Sequence, residues 1–360
     1  NTDYTATLLD SEGSELATAT LTTGAFSTEL PLPAATDTAG WAGYLYFGQF
    51  AGGGIGYALV TDAQGTPVWT FADDAGPIVR IRPSPNGGGI TYLIDDPNSD
   101  KFPELVSVGW DGTELSRQSI EGIARDFVFL EEGAIAYPKT EEQTFAEFAD
   151  PVRGEGIVER SAIGVETTVW SAFDHWDPRT AGGVGEGGEW THANALDYDS
   201  ETGIYSIGFY GMRAIVRVDR ASGQVVSQVG GDGSDYDFPD DSDVPKWQHQ
   251  FQFTEDSVLV FDNRSSEDGS RGLELALDDT TMTATKRWEW APADPVWSPV
   301  LGEIDRAADG STLITYSGAG TIYDVAADGT QRWKLSTELG WILGFSDRQA
   351  SLPGMAPPSE

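Results

Sequence analysis

The stretch AIVRVDRASGQVVSQV, residues 214–229, carries the pattern that decides the fold. It is a short run of β-branched residues, a polar turn that contains Gly223, and a second β-branched run, which is typical of a β-hairpin. The same pattern appears in GYALVTDAQGTPVW, LVSVGWDGTEL and TIYDVAADGTQRW. The sequence therefore predicts antiparallel hairpins and few helices, and residues 140–149 are the best helical candidate.

Six such hairpins recur at intervals of about 50 residues. Their turns are centred near Gly65, Gly112, Gly164, Gly223, Thr281 and Gly329. A repeat of this length, with four short strands in each unit, is typical of the blades of a β-propeller, and a generic β-sandwich does not explain it. We predict an all-β chain: a six-bladed β-propeller over residues 38–350, an N-terminal β extension with a linker over residues 1–37, and a disordered tail over residues 351–360.

The charge balance limits the possible partners. The chain has 58 acidic and 21 basic residues, a formal net charge of −37. Such a surface repels nucleic acid and anionic lipid, so neither is expected as a partner. The sequence contains no cysteine, which excludes disulfides and thiolate catalysis, and no apolar run reaches the length of a transmembrane segment.

The first residue is Asn1 rather than Met, so we expect that a leader has been removed. This favours an extracytoplasmic location, with the protein periplasmic, secreted or lipid-anchored at the processed N-terminus. The sequence leaves the oligomeric state open.

Two of the three histidines occupy matching places in neighbouring repeats. His192 and His249 each lie about 32 residues before the turn of their own repeat. Because the inner strands of a propeller line a central channel, equivalent positions converge there, and we expect both histidines at one mouth. His175 falls outside this register and is predicted to be structural.

Several arginines lie near predicted strand ends, although the chain is poor in basic residues: Arg80, Arg125, Arg213, Arg264 and Arg271. A single arginine of this kind is typical of a surface ion pair. Together with two channel histidines, some of them could form a pocket for an anion. The candidate substrate-binding residues are Arg125, Arg80, Trp247, Tyr210 and Arg271.

The run GGDGSDYDFPDDSDVP, residues 230–245, is dense in carboxylates. Oxygen ligands at this density suit a structural calcium ion, with Asp235, Asp237 and Asp241 as candidate ligands. The spacing is not that of an EF-hand, and a solvated acidic loop is the alternative. No other cofactor is predicted.

Six stretches carry a resemblance to a known family: EWTHANALDYD at 189–199, AIVRVDRASGQVVSQVGG at 214–231, WQHQFQF at 247–253, SVLVFDNR at 257–264, SRGLELALD at 270–278, and a long segment at 298–335 that begins SPVLGEIDRAADGSTLITY. In this order they resemble the arylsulfotransferase family of six-bladed β-propellers, and the resemblance extends over roughly residues 40–345. No single stretch is as specific as the ordered series.

The resemblance implies a cofactor-independent transfer of a sulfuryl group from an aryl sulfate to a phenol through a sulfohistidine. By position, His249 matches the nucleophile, His192 and Asn194 match a catalytic pair, and Arg213 matches an active-site arginine. The expected substrate is a small anionic aromatic molecule.

The sequence also departs from the family pattern. Arg125 stands where the family usually has a further histidine, and Met212 precedes Arg213 where a serine is usual. An arginine can bind a sulfuryl oxygen but does not exchange a proton near neutral pH. Three functions therefore stay open: sulfuryl transfer, non-catalytic ligand binding, and lyase or hydrolase chemistry on an anionic substrate.

Overall fold

A computed structural model describes residues 3–9, 13–22, 30–36, 41, 43–52, 54–97 and 99–352. The chain divides into two compact units, Asn1–Leu32 and Pro33–Glu360. The first unit contains the antiparallel hairpin of β1 (Asp3–Leu9) and β2 (Glu15–Thr22). This hairpin is the predicted N-terminal β extension.

The described part of the second unit forms six antiparallel sheets arranged in a ring, so the predicted six-bladed β-propeller is confirmed. Its strands, in chain order, are β3 (Ala34–Thr36), β4 (Tyr44–Phe50), β5 (Gly56–Asp62), β6 (Pro67–Asp73), β7 (Ile78–Pro83), β8 (Gly89–Ile94), β9 (Glu104–Gly109), β10 (Glu114–Ser119), β11 (Val128–Phe129), β12 (Ile135–Gln143), β13 (Val152–Arg160), β14 (Glu166–Ser171), β15 (Ala193–Asp199), β16 (Ile204–Phe209), β17 (Ala214–Asp219), β18 (Val225–Gly230), β19 (Phe251–Phe253), β20 (Ser257–Asp262), β21 (Arg271–Asp278), β22 (Thr283–Trp290), β23 (Glu303–Arg306), β24 (Thr312–Tyr316), β25 (Thr321–Val325), β26 (Gln331–Ser336), β27 (Ile342–Leu343) and β28 (Asp347–Gln349).

The six blades follow this order. The first is β27-β4-β5-β6 with β28 also paired to β4, and blades two to five are β7–β10, β11–β14, β15–β18 and β19–β22. The sixth is β23-β24-β25-β26-β3.

Aspartates build many of the turns between strands, which accounts for part of the acidic composition. In the turn from β17 to β18, Asp219 Oδ1 accepts the Ser222 N–H at 2.8 Å, and Gly223 has a φ of 67°. A left-handed φ is nearly free for glycine, so this position closes the hairpin without strain. In the fifth blade the corresponding turn starts at Asp278 and uses Met282, with a φ of 52°.

Strands from both ends of the second unit close the ring. β3 pairs with β26 at the outer edge of the sixth blade, while β27 and β28 pair with β4 on the inner side of the first blade. The division after Leu32 therefore falls earlier than residue 37, because residues 34–36 pair with the propeller instead of acting as a free linker. The predicted tail falls largely outside the described residues, which end at 352.

Helix is scarce in the described part of the chain. It comprises α1 (Ala172–His175) and the 3-10 turns Glu131–Gly133, Glu186–Gly188, Asp241–Asp243 and Ser317–Ala319. The helix expected at 140–149 is wrong, since residues 140–143 extend β12 in pairing with β13. None of the helices found here is long and apolar enough to cross a membrane.

The hydrophobic core lies between neighbouring blades. Buried aromatic side chains mark these contacts: Tyr46 and Tyr92 between blades one and two, Trp190 and Phe209 between blades three and four, and Phe261 and Tyr316 between blades five and six. Burial of apolar side chains between neighbouring blades thus stabilises the ring. The polar groups of the inner strands face the channel.

One buried ionic cluster, here called the channel hub, ties the inner ends of all six blades together. Arg80 Nε and Nη2 donate to the two oxygens of Asp126 at 2.8 and 3.1 Å, and Arg80 Nη1 donates to Glu303 Oε2 at 2.9 Å. Asp126 also accepts the Leu196 N–H at 3.0 Å and Gln250 Nε2 at 2.7 Å. The Arg80 guanidinium lies 4.5 Å from the ring centre of Phe345, in the segment that completes the first blade.

Candidate active site

A cavity of about 460 Å³ lies at one mouth of the channel, where several inner strands begin. Its lining brings together four of the predicted site residues: Arg125, His192, Tyr210 and His249. They come from blades three, four and five, so the matching repeat positions do converge. Most of the remaining wall is apolar, including Phe50, Val79, Pro299, Leu301 and Ile342.

The backbone at this mouth is strained in a repeated way. Just before the inner strands of blades three to six, non-glycine residues adopt a left-handed conformation: Arg125 at φ 56°, His192 at 52°, Trp247 at 59° and Leu301 at 52°. Each such residue costs about 1 kcal/mol or more relative to ordinary backbone. Strain of this kind is typical of functional sites, and here it recurs around one cavity.

His249 is 5% exposed, and its Nδ1 lies 2.8 Å from Asn263 Oδ1. Burial lowers the pKa of His249 to about 3, and the nearby positive charge of Arg125 acts in the same direction. The imidazole is therefore neutral over the physiological range. Since Nδ1 is occupied by Asn263, Nε2 is the ring nitrogen left for the cavity.

His192 is more exposed, and its Nδ1 lies 2.9 Å from Glu189 Oε2. The hydrogen bond from His192 lowers the pKa of Glu189, and Arg153 also pairs with that carboxylate at 2.7 Å. The ring of Tyr210 lies between the two histidines, with its centroid 5.2 Å from that of His192 and 5.6 Å from that of His249. Burial raises the pKa of Tyr210, so the phenol is neutral.

Arg125 is half-buried, and its guanidinium makes no hydrogen bond or ion pair within the part of the chain that the structure describes. Its backbone N–H bonds the nearby Asp95 carboxylate. Burial raises the pKa of Asp95, against the effect of the Arg125 charge, and the carboxyl also lines the cavity. A cation that makes no hydrogen bond or ion pair with the described residues, beside a largely apolar wall, can bind an anionic ligand.

Asn194 lies outside the cavity lining. It is fully buried, and its Nδ2 donates to the carbonyl of Gln248 at 3.1 Å, so it holds the backbone next to His249. Arg80 lies in the channel hub, where its guanidinium is occupied by Asp126 and Glu303.

Three more predicted residues, Arg213, Trp247 and Arg271, also lie away from the lining. Arg213 is exposed and stacks over the indole of Trp247 at 4.8 Å, and Arg271 is buried against Asp262 at 3.0 Å. Their expected contacts with a substrate stay predictions, and neither arginine shares a cavity with His249 in this structure.

His175 ends α1 and packs its ring 4.8 Å from that of Trp176, well outside the cavity lining. Over the described ranges, no group of three or more histidine, aspartate or glutamate side chains is placed to hold a metal ion. Asp235 instead accepts the Gln228 N–H at 2.7 Å. Structural calcium stays a prediction.

The site residues predicted from the sequence do not include Asn263, Glu189 and Asp95, which orient or surround the cavity groups. Asn263 belongs to the stretch SVLVFDNR, where a polar pair directly follows an apolar strand, and Asp95 follows β8 in the same manner. Polar residues at strand ends were the available signal. The apolar wall from Pro299 to Leu301 had no such signal.

Comparisons with known proteins concern the fold and the family of this chain. No curated protein matches the sequence. A protein of unknown function from Bacteroides caccae superposes with a TM-score of 0.53 at 12% identity, over 85% of this chain and 98% of that chain. A chain of a nidogen/laminin complex gives 0.50 at 10% identity, over 86% and 99%.

The β-propeller domain of Cps50 (Swd1) from Myceliophteria thermophila gives a TM-score of 0.49 at 10% identity, over 86% of this chain and 98% of that chain. At these identities the likenesses concern the fold alone. The model of the family described as arylsulfotransferase (ASST) matches residues 43–339. Because that match spans most of the sequence, the chain belongs to the arylsulfotransferase (ASST) family.

Proposed function

We propose that this protein transfers a sulfuryl group from an aryl sulfate to a phenol, with His249 as the residue that carries the group. One observation supports this above the others: a neutral buried histidine shares an apolar-walled cavity with an arginine that has no ionic partner among the described residues. The arginine suits the sulfate oxygens, and the apolar wall suits an aromatic ring.

In the first half-reaction, the lone pair of His249 Nε2 attacks sulfur while the bond from sulfur to the aryl oxygen breaks. The electron pair of that bond leaves with the aryloxide, which takes a proton from His192 when His192 is in its imidazolium form. His249 becomes an N-sulfoimidazolium that keeps its Nδ1 proton. Arg125 offsets the charge on the sulfuryl oxygens in the transition state.

In the second half-reaction, an acceptor phenol replaces the aryl product. His192, now neutral, takes the phenolic proton while the phenol oxygen attacks sulfur. The bond from nitrogen to sulfur breaks, and His249 recovers its neutral lone pair. His192 is the cavity group suited to this proton transfer, since it is partly exposed and is held by Glu189 through Nδ1.

The mechanism needs no nucleotide, so the reaction can proceed outside the cytoplasm, and the family also favours that location. We therefore propose an extracytoplasmic location. No metal or organic cofactor takes part in these steps. The alternatives of pure ligand binding and of lyase or hydrolase chemistry have no feature of the cavity that favours them over transfer.

The test incubates the full chain with 4-nitrophenyl sulfate and a phenol acceptor and follows release of 4-nitrophenol together with the sulfated acceptor. Mass spectrometry of the enzyme quenched without acceptor is expected to find one added sulfuryl group on the peptide that contains His249. H249Q is expected to lose turnover by about 10³-fold or more.

The matched control is H175Q, which removes the histidine outside the cavity and is expected to turn over within about twofold of the unaltered protein. No turnover with a broad panel of aryl sulfates and phenols, from protein with a cooperative unfolding transition, would overturn the proposal. Retained turnover in H249Q would overturn the assignment of the nucleophile.

A further inference from the structure

Asn263 is a buried amide between His249 and one wall of the cavity. It follows β20 directly and is 1% exposed. Its Oδ1 lies 2.8 Å from His249 Nδ1, and its Nδ2 donates to the carbonyls of Ser298 at 2.7 Å and Leu301 at 2.9 Å. All three polar contacts of the side chain are thus 2.9 Å or shorter.

These contacts fix which way the amide points. Two backbone carbonyls can only accept, so the group that faces them must be the NH₂ of the amide. The amide oxygen therefore faces His249, and an oxygen without a hydrogen can only accept from Nδ1. It follows that the proton of the neutral imidazole sits on Nδ1.

The same wall also holds the backbone of Asn263. The hydroxyl of Ser270 donates to the Asn263 carbonyl and accepts the Ser298 N–H, both at 2.9 Å. The wall that presents these groups runs through Pro299 and Val300 to Leu301, all in contact with the cavity. The shape of that wall, with Leu301 in a left-handed conformation, thus decides the orientation of the amide.

We infer that Asn263 is a positioning residue that holds the proton of His249 on Nδ1 and so leaves the Nε2 lone pair to the cavity. The neutral histidine side chain in water prefers the opposite tautomer, with the proton on Nε2, and a protonated Nε2 has no lone pair for attack. Asn263 therefore selects the reactive form before substrate arrives. The inference rests on the proposed function only in naming Nε2 as the attacking atom.

The first experiment is nitrogen NMR of the full chain with isotope-labelled histidine, which the small number of histidines makes tractable. For His249, assigned with H249Q, we expect Nδ1 to give the signal of a protonated, pyrrole-type nitrogen and Nε2 that of an unprotonated, pyridine-type nitrogen near neutral pH. The reverse pattern in the unaltered protein would overturn the inference, and this measurement needs no variant of Asn263 to fold.

The second experiment compares N263A with Q252A. Gln252 is a matched control because its amide also bridges blades five and six, donating to Asp305 and accepting the Arg306 N–H at 2.8 Å, without contact to His249. In N263A we expect the His249 spectrum to move toward the Nε2–H form and kcat with 4-nitrophenyl sulfate to fall about tenfold or more at little-changed KM. Q252A is expected to keep the spectrum and to hold kcat within about twofold.

The outcomes separate this inference from the proposed function. The expected tautomer in a protein that transfers no sulfuryl group would leave Asn263 as the positioning residue and refute the function. Turnover through His249 with the proton on Nε2, or an N263A variant with unchanged spectrum and kcat, would refute the inference and leave the function standing.

Discussion

Arg80, within the inner strand of blade two, and Arg125, just before the inner strand of blade three, have opposite surroundings. Arg80 is 2% exposed and contacts two carboxylates through three nitrogens in the channel hub. Arg125 lies at the mouth, faces an apolar-walled cavity and has no ionic partner among the residues described. The difference teaches that residue type alone does not assign a role to an arginine; the carboxylates that other blades place against it do.

The hub also shows how two acids share one base. Burial opposes ionisation of Asp126, but the charges of Arg80 and Arg82 outweigh it and hold the pKa of Asp126 below its usual range. Burial raises the pKa of Glu303 to about 8, because the Arg80 charge is already matched by Asp126. At the cavity, by contrast, Arg125 makes no ion pair with the described carboxylates, although Asp95 lines the same wall.

The largest effect is expected from removing the Arg80 charge. R80M removes the bidentate partner of the buried Asp126 and leaves it only the longer 3.3 Å contact with Arg82, so the free energy of unfolding should fall by about 3–5 kcal/mol. Urea unfolding near neutral pH measures this difference in the free energy of unfolding between R80M and the unaltered protein. R287A serves as the surface comparison, since the exposed Arg287 pairs with the exposed Asp256 at 2.8 Å and reaches the buried Glu274 only at 3.4 Å. It should cost about 1 kcal/mol or less.

A loss in R80M no greater than that in R287A would break the contrast between a structural arginine and a ligand-binding arginine. It would mean that the channel hub contributes no more than a surface ion pair.

A somewhat smaller effect, on catalysis rather than on folding, is expected at Arg125. R125Q removes the charge placed for the sulfuryl oxygens, so kcat/KM for an aryl sulfate should fall by about 10²–10³-fold. The free energy of unfolding should change by less than about 0.5 kcal/mol, because no described ion pair is lost. Steady-state kinetics and urea unfolding of the same preparation test both parts.

R125K sharpens this second test, since lysine keeps the charge without the planar fork and should recover part of the lost activity. A large loss of stability in R125Q with normal kcat/KM would assign Arg125 to the fold and contradict its proposed role.

The smallest effect concerns pH. Burial lowers the pKa of His249 to about 3 in the folded protein. As the pH falls below about 6.5, the unfolded chain therefore binds a proton at this histidine and the folded chain does not. The free energy of unfolding then decreases by about 1.4 kcal/mol per pH unit. Glu303 acts in the other direction. With its pKa raised to about 8, the folded chain keeps a proton that the unfolded chain loses above about 4.5, so stability decreases as the pH rises toward 8.

Urea unfolding near pH 5, 6.5 and 8 separates the two groups. H249Q should lose about 2 kcal/mol less than the unaltered protein between about pH 6.5 and 5, and E303Q should flatten the decrease between about pH 5 and 8. Parallel curves for H249Q and the unaltered protein would show that His249 titrates near its ordinary value when folded.

The fold was readable from the sequence because each blade repeats the same local pattern of strand, turn and strand. Gly65, Gly112, Gly164, Gly223 and Gly329 mark outer hairpins that the structure contains, and these turns depend on nearby residues only. The convergence of His192 and His249 at one cavity was equally readable, since equal repeat positions meet in a closed ring.

The partners of those residues were not readable. Glu303 lies 223 residues from Arg80 along the chain, and Asn263, which holds His249, is oriented by carbonyls 35 and 38 residues further on. Asn194 and Arg213 match a family pattern in sequence, yet one holds the backbone beside His249 and the other stacks on Trp247.

The sequence by itself determined the blades, their number and the two histidines that face one mouth, because these follow from local periodicity and from the symmetry of the repeat. Only the tertiary structure decided which arginine is neutralised by carboxylates, which has no ionic partner among the described residues, and which nitrogen of His249 contacts Asn263. Those properties depend on burial and on hydrogen bonds between blades, which are set when the ring closes and not by any one repeat.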